Sequence, residues 1–224
     1  MPELPVNSPP TSCPLCGTQE PVFFHQDRQR EYWQCPGCQL VFVPPRNFLS
    51  SEEELACYQL HQNSPDDTGY RTFLGRLATP LIRRLTPGDS GLDFGSGPGP
   101  TLSVMLTEGG FPTSIYDPFF APDDRVWNRS YDFVTATEVV EHLHHPRREL
   151  ERLWSVLAPG GWLGIMTKRV RDATAFATWH YKSDPTHVCF YSTTTFEWLA
   201  GELEARLEVV GDDVVLLQKV VESE

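Results

Sequence analysis

Leu92-Asp93-Phe94-Gly95-Ser96-Gly97-Pro98-Gly99 decides the fold. A short apolar run carries an acid and then gives way to glycines in a G-x-G-x-G pattern. Residues 101 to 109 read as a helix. Strand, glycine turn and helix in that order form the setting a cofactor loop requires. Glycine lets the backbone turn tightly and approach a ligand with no Cβ in the way. Pro100 stands where a dinucleotide-binding G-x-G-x-x-G loop would carry its last glycine. With Asp93 two residues ahead of the first glycine, the loop suits a nucleoside with a charged amino-acid tail better than a pyrophosphate.

Working outward, Thr113 to Tyr116 reads as a second strand that ends at Asp117, 18 positions after Gly99. A carboxylate there can accept hydrogen bonds from both ribose hydroxyls. Further strands are expected at residues 131–135 and, after the turn Pro159-Gly160-Gly161, at 162–166. Helices are expected at 146–157, with Leu150, Leu153 and Leu157 on one face, and at 193–207. Residues 207–210 and 214–217 read as a closing hairpin. Strand–helix alternation predicts a parallel sheet with helices on both faces, and the hairpin adds an antiparallel edge. Thirteen residues separate Asp117 from Tyr131, too few for a full helix and strand, so a third strand is expected to be vestigial.

Upstream, residues 46–86 read as a helical connector or lid. Ser50 or Ser51 before Glu52-Glu53-Glu54 marks a helix start. Tyr70, Phe73, Leu74, Leu77 and Leu81 recur at helical spacing, and Pro80 is expected to kink or split that helix. Residues 1–11 are Pro-rich and read as a mobile N-terminus, and 87–224 as the main domain.

Cys13-Pro-Leu-Cys16 and Cys35-Pro-Gly-Cys38 lie 18 residues apart. Two Cys-x-x-Cys turns supply four thiolates to one tetrahedral centre, and the spacing matches structural zinc. Disulfides or a redox pair are the alternatives. Three β-prone runs, at 22–24, 31–33 and 40–43, complete a zinc ribbon over residues 12–45. Cys57 and Cys189 read as small buried side chains. Bound and free thiols together favour a reducing cytoplasm.

The chain has 224 residues, 30 Asp+Glu against 18 Lys+Arg, and a formal net charge of −12. That length fits one full domain and a small one. No run of about 20 apolar residues is present to span a membrane, and the first ten residues lack a secretory pattern. The acid excess opposes a non-specific grip on nucleic acid.

The central region resembles the class I S-adenosylmethionine-dependent methyltransferases. The glycine loop resembles that family's first motif and Asp117 its ribose-binding acid. Tyr131-Asp132-Phe133-Val134, followed by Thr137-Glu138-Val139-Val140-Glu141-His142, resembles its fourth-strand segment. Leu157-Ala158-Pro159-Gly160-Gly161 resembles the turn before its fifth strand. The similarity is strongest to small-molecule methylases, and a preceding zinc ribbon is also found in some ribosomal-RNA and sugar methyltransferases. The resemblance implies a Rossmann-like α/β sheet and S-adenosylmethionine held by Asp93, Gly95, Ser96, Gly97, Gly99, Asp117, Pro118, Phe119, Thr137 and Glu138. The family's adenine-contacting acid has Asp123 and Asp124 as its nearest counterparts.

Methyl transfer from a sulfonium is an in-line displacement in which the enzyme positions the nucleophile and excludes water. His187 is expected as a general base oriented by Asp184, with Tyr181 beside it. Glu138 is expected in the methyl-donor pocket. Core packing of residues 176–191, and a plain helix start at Glu141-His142, are the competing readings. The leading expectation is methylation of a small-molecule or carrier-linked acceptor. An RNA methyltransferase and a non-catalytic S-adenosylmethionine-binding scaffold are the alternatives, and residues 12–43 hold only Arg28 and Arg30 as cations for phosphate contacts.

Overall fold

A computed structural model describes residues 9–60 and 63–221 of the chain. Residues 1–8 of the expected mobile N-terminus lie outside that range. The described elements are β1 (Val22–Gln26), β2 (Glu31–Gln34), β3 (Val41–Phe42), α1 (Ser51–Tyr58), α2 (Thr68–Ile82), β4 (Gly91–Phe94), α3 (Thr101–Glu108) and β5 (Thr113–Tyr116). They continue with β6 (Tyr131–Thr137), α4 (Pro146–Ser155), β7 (Leu157–Met166), α5 (Ala173–Ala177), β8 (Cys189–Phe190), α6 (Thr193–Glu202), β9 (Ala205–Val210) and β10 (Val214–Lys219).

The larger sheet has the order β5-β4-β6-β7-β10-β9. β4 pairs in parallel with β5 and β6, and β6 with β7. β10 pairs antiparallel with both β7 and β9, which gives the mostly parallel sheet with an antiparallel C-terminal hairpin. Asp93, Thr135 and Gly164 share one register row. The carboxyl ends of β4, β6 and β7 therefore meet at one edge, where ligands bind in open α/β sheets. Between Asp117 and Tyr131 there is no third strand. An Asp117–Ala121 bridge and a 3-10 turn at Asp124–Asn128 take its place. That turn seats Trp127 against Tyr116 with ring centroids 4.8 Å apart, and the Arg152 guanidinium lies 3.5 Å over the Trp127 ring. An aromatic cap thus covers the sheet where a strand and helix would otherwise lie.

One face of the sheet packs on α2 and α3 through Leu74, Leu77, Leu81, Leu102 and Leu106. The other packs on α4, α6 and the cysteine-bearing segment through Leu150, Leu153, Phe196 and Leu199. Helix α2 runs through Pro80 without splitting, which rules out the split of the two expected outcomes. Pro80 lies in the last turn, so a single hydrogen bond is lost near a helix end. Helix α6 stops at Glu202, short of the expected 207. Glu204 then adopts φ 50° and turns the chain into β9, in the role glycine usually fills past a helix end.

Helix α1 starts at a capping box. Ser50 Oγ accepts from the Glu53 amide, and the Glu53 carboxylate accepts from the Ser50 amide at 2.8 Å. Ser50→Ala should cost about 1 kcal/mol, read as a lower urea midpoint with an unchanged slope.

The second sheet has the order β1-β2-β3-β8. Its first three strands match the expected ribbon. The fourth comes from far along the chain, where Val41 pairs with Phe190 and Phe42 with Cys189. No helix among the described residues is long and apolar enough to cross a membrane.

Candidate functional site

Gly95 and Gly97 have φ values of +73° and +63°, the left-handed region glycine tolerates. A Cβ on Gly95 would come within 2.4 Å of Val139, whereas one on Gly97 would enter open space. The Asp117 carboxylate holds the loop. Its Oδ2 accepts from the Gly97 amide at 2.9 Å, and its Oδ1 accepts from the Phe119 and Phe120 amides at 2.9 and 3.0 Å. Asn63 of the connector crosses above, and its carbonyl would lie 2.1 Å from a Cβ on Gly99.

A cavity of about 220 Å³ opens over this loop. Gly95, Ser96, Gly97, Asp117, Pro118, Phe119 and Thr137 line it, joined by Tyr58, Asn63 and Tyr70 from the connector and by His142. Ser96 Oγ and Thr137 Oγ1 are buried there without a hydrogen-bond partner. Buried hydroxyls need partners, so the cavity has the polar groups a nucleoside ligand would satisfy. The residues present therefore fit the nucleoside part of S-adenosylmethionine. Asp93, Gly99 and Glu138, expected among the cofactor-holding residues, do not line the cavity. Asp123 bonds to Arg125 at the surface, and neither Asp123 nor Asp124 lines the cavity.

Asp93 is 4% exposed and accepts from Thr135 Oγ1 at 2.8 Å. Burial pushes its carboxyl up to about 7. The folded state thus holds this proton more tightly than the unfolded chain, whose carboxyl titrates near about 3.9. The associated stability is complete below about pH 4 and is lost as pH rises through about 7. Asp93→Asn should flatten the fall in thermal midpoint between about pH 4 and 7, measured by calorimetry.

Glu138 follows β6 directly with φ 52°, an uncommon conformation for a non-glycine residue. Its amide donates to the Met166 carbonyl at 2.7 Å, its Oε2 lies 3.3 Å from the Tyr181 hydroxyl, and its Oε1 has no hydrogen bond. Burial pushes Glu138 up to about 7, opposed by the charge of Lys168 and the Tyr181 contact, with Asp213 and Arg76 also nearby. Arg76, Lys168 and Asp213 line a second cavity of about 530 Å³, which also takes in Arg169, Arg171 and Trp179.

His187 and Asp184 line neither cavity. His187 is buried, and its Nδ1 lies 2.8 Å from the Tyr181 carbonyl. Its Nε2 is 3.8 Å from Asp184 Oδ2, beyond hydrogen-bond reach. Burial lowers its pKa. The Tyr181 hydroxyl sits between two carboxylates and donates to Glu141, which is fully buried. The segment after β6 offers Glu141 in sequence as a pocket candidate beside Glu138, whereas Tyr58, Asn63 and Tyr70 were not expected at the site. Their residue types carry no signal until the connector folds over the loop.

The sulfurs of Cys13, Cys16, Cys35 and Cys38 lie within 4.8 Å of one another, with Cys13–Cys38 at 3.6 Å and Cys16–Cys35 at 3.3 Å. Zinc–sulfur bonds of about 2.3 Å place tetrahedral sulfurs roughly 3.8 Å apart. Without a cation the cluster favours one thiolate. Hydrogen bonding from Cys38 lowers Cys13 to about 5, while that bond raises Cys38 and burial raises Cys35. Four thiolates in this space require a positive ion, so the residues fit zinc.

A model of the methyltransferase domain matches residues 68–208, well over half of the chain. The chain belongs to the methyltransferase-domain family. Among curated proteins no sequence match is found. Solved structures match at the level of fold. The Burkholderia thailandensis 1,6-didemethyltoxoflavin-N1-methyltransferase, with bound 1,6-didemethyltoxoflavin and S-adenosylhomocysteine, is 14% identical with a TM-score of 0.53. The match covers 90% of this chain and 100% of that one. Human N-acetylserotonin methyltransferase in complex with SAM is 13% identical with a TM-score of 0.55, covering 77% of this chain and 57% of that one. An O-methyltransferase family protein from Burkholderia thailandensis is 14% identical with a TM-score of 0.49, covering 76% and 64%. The methyltransferase chain thus spans less than two thirds of the last two.

Proposed function

We propose that this methyltransferase-family chain transfers a methyl group from S-adenosylmethionine to a small acceptor bearing an anionic group, with Glu138 taking the acceptor's proton. The reading is carried by one arrangement. Glu138 lines neither the glycine-loop cavity, with its two unsatisfied hydroxyls, nor the larger cavity lined by Arg76, Lys168, Arg169, Arg171, Asp212 and Asp213, but its carboxylate interacts with residues of both. Tyr70 of the first cavity and Arg76 and Lys168 of the second both interact electrostatically with that carboxylate.

The amides and hydroxyls of the 95–97 loop, with Thr137, would hold the cofactor, and Asp117 would accept from its ribose. S-adenosylmethionine supplies an electrophilic methyl on a sulfonium, so the protein's task is orientation and proton removal. The second cavity orients the acceptor. Lys168 and Arg171 favour a carboxylate or phosphate, and Trp179 offers an apolar wall. Glu138, with a pKa near neutrality, is poised to receive a proton. Tyr181 positions Glu138, and His187 and Asp184 support the segment that carries Tyr181. The Cys13, Cys16, Cys35 and Cys38 ribbon would bind structural zinc.

The RNA alternative is weakened by the fate of the ribbon's two cations. Arg30 is buried against the 182–187 backbone, leaving Arg28 exposed.

S-adenosylhomocysteine should raise the thermal midpoint by mass action, and Asp117→Ala should remove most of that increment. A charged hydrogen bond is worth about 1.5–3 kcal/mol. The increment on adding ligand is the readout, because Asp117 also braces the apo loop. No shift with millimolar ligand overturns the reading.

A further inference from the structure

Glu141, His142 and His187 lie outside the reaction assigned above, yet each offers a donor atom within 4.8 Å of the other two. We propose that these three side chains form a second metal site, which binds a divalent cation through one carboxylate oxygen and two imidazole nitrogens.

The backbone sets the imidazoles for that role. His187 Nδ1 lies 2.8 Å from the Tyr181 carbonyl, and His142 Nδ1 lies 3.3 Å from the Thr186 carbonyl. A carbonyl can only accept, so each Nδ1 carries the proton and each Nε2 carries the lone pair. This is the outer-shell arrangement that fixes the tautomer of metal-binding histidines. The rings stand edge to face, with centroids 4.6 Å apart.

Glu141 supplies the charge. It is 0% exposed, and its Oε1 accepts from the Tyr181 hydroxyl, while its Oε2 is buried with no hydrogen bond. An unpartnered carboxylate oxygen in the interior is costly unless it meets a cation. Other ionisable groups face the cluster. Asp184 Oδ2 is 3.8 Å from His187 Nε2, the charges of the Arg30 guanidinium and Lys168 both act on His187, and Glu138 lies 3.3 Å from the Tyr181 hydroxyl that bonds Glu141. Bonds of about 2.0–2.2 Å require the three donor atoms to draw closer together.

Two imidazoles and a carboxylate suit zinc, manganese or ferrous iron, and differ from the soft four-thiolate cluster in the ribbon. Such a set leaves coordination positions open. His142 lines the glycine-loop cavity, so an open position would face the ligand space.

The test counts metal in the full chain after equilibration with excess Zn²⁺ and removal of unbound ion. Wild type should hold two equivalents, while His142→Gln and Glu141→Gln each hold one. Cys35→Ser should lose the other equivalent. If Glu141→Gln fails to fold, the half-buried His142→Gln decides alone. One equivalent in wild type, or two in His142→Gln, overturns the proposal. Neither outcome depends on the assignment of methyl transfer.

Discussion

Arg30→Gln is expected to lower methyl transfer at least tenfold and to cost about 1–3 kcal/mol of stability for each buried carbonyl it leaves unpaired, although Arg30 lies in the ribbon and lines neither cavity. The guanidinium is 7% exposed. Its Nη1 donates to the carbonyls of Pro185 at 3.1 Å and His187 at 2.9 Å, and its Nη2 donates to those of Asp184 at 2.9 Å and Lys182. Four carbonyls of one segment therefore converge on a single cation. Asp27 reinforces the joint by pairing with Lys182 at 3.2 Å and accepting from the Tyr32 hydroxyl at 2.8 Å. Gln cannot reach four acceptors, so buried carbonyls would be left unpaired and the segment would shift. Tyr181 lies at its start, with its hydroxyl between Glu138 and Glu141, so the shift reaches the carboxylate assigned to proton removal. Because β2 runs from Glu31 into Cys35, chelating the ribbon metal should have the same effect. The defect should fall on kcat, with S-adenosylhomocysteine affinity little changed. The Trp179 ring, tilted 32° to Tyr181 with centroids 5.0 Å apart, gives a fluorescence signal of the displacement. Wild-type turnover in a folded Arg30→Gln protein would show that the ribbon does not position the site.

This coupling explains what the sequence could and could not disclose. The glycine loop, Asp117 and the β6 segment were legible because strand, turn and acid follow within about 25 residues, and local spacing carries the signal. The missing third strand was legible from a length too short to hold it. The ribbon cysteines were legible for the same local reason. The joint between ribbon and site was not. β8 is two residues long and pairs with β3 across nearly 150 positions, and no periodicity exists in two residues. Glu141 follows two valines and precedes a histidine, a pattern equally suited to a helix start, and its burial depends on Tyr181 arriving from 40 positions away. Cys189 was expected to be buried, as it is, but as a core residue rather than as part of a strand. Tyr58 and Tyr70 reach the cavity because the connector folds over the loop, a tertiary event that helical spacing does not encode.

Glu138→Gln should lower kcat by about 10²–10⁴-fold, the span that general-base catalysis supplies, while S-adenosylhomocysteine binding stays near wild type. The sign of the pH dependence follows from the raised pKa. A base acts when deprotonated, and burial places Glu138 at about 7, so kcat/KM should climb with pH and level off above about 7. Asp93 also titrates at about 7 and could produce the same limb through cofactor binding. Measurement at saturating cofactor separates the two, because a limb arising from Asp93 would then vanish and one from Glu138 would persist. Tyr181→Phe provides a further discrimination. The hydroxyl contact lowers the Glu138 pKa, so its removal should move the limb to higher pH. A purely structural role for Tyr181 would reduce rate without moving it. An unchanged pH profile in Glu138→Gln would require the proton to leave by another route, or an acceptor whose nucleophile has none to lose. Methylation of a thioether or a tertiary amine, needing no base, would then be the reaction to test in the cation-lined cavity.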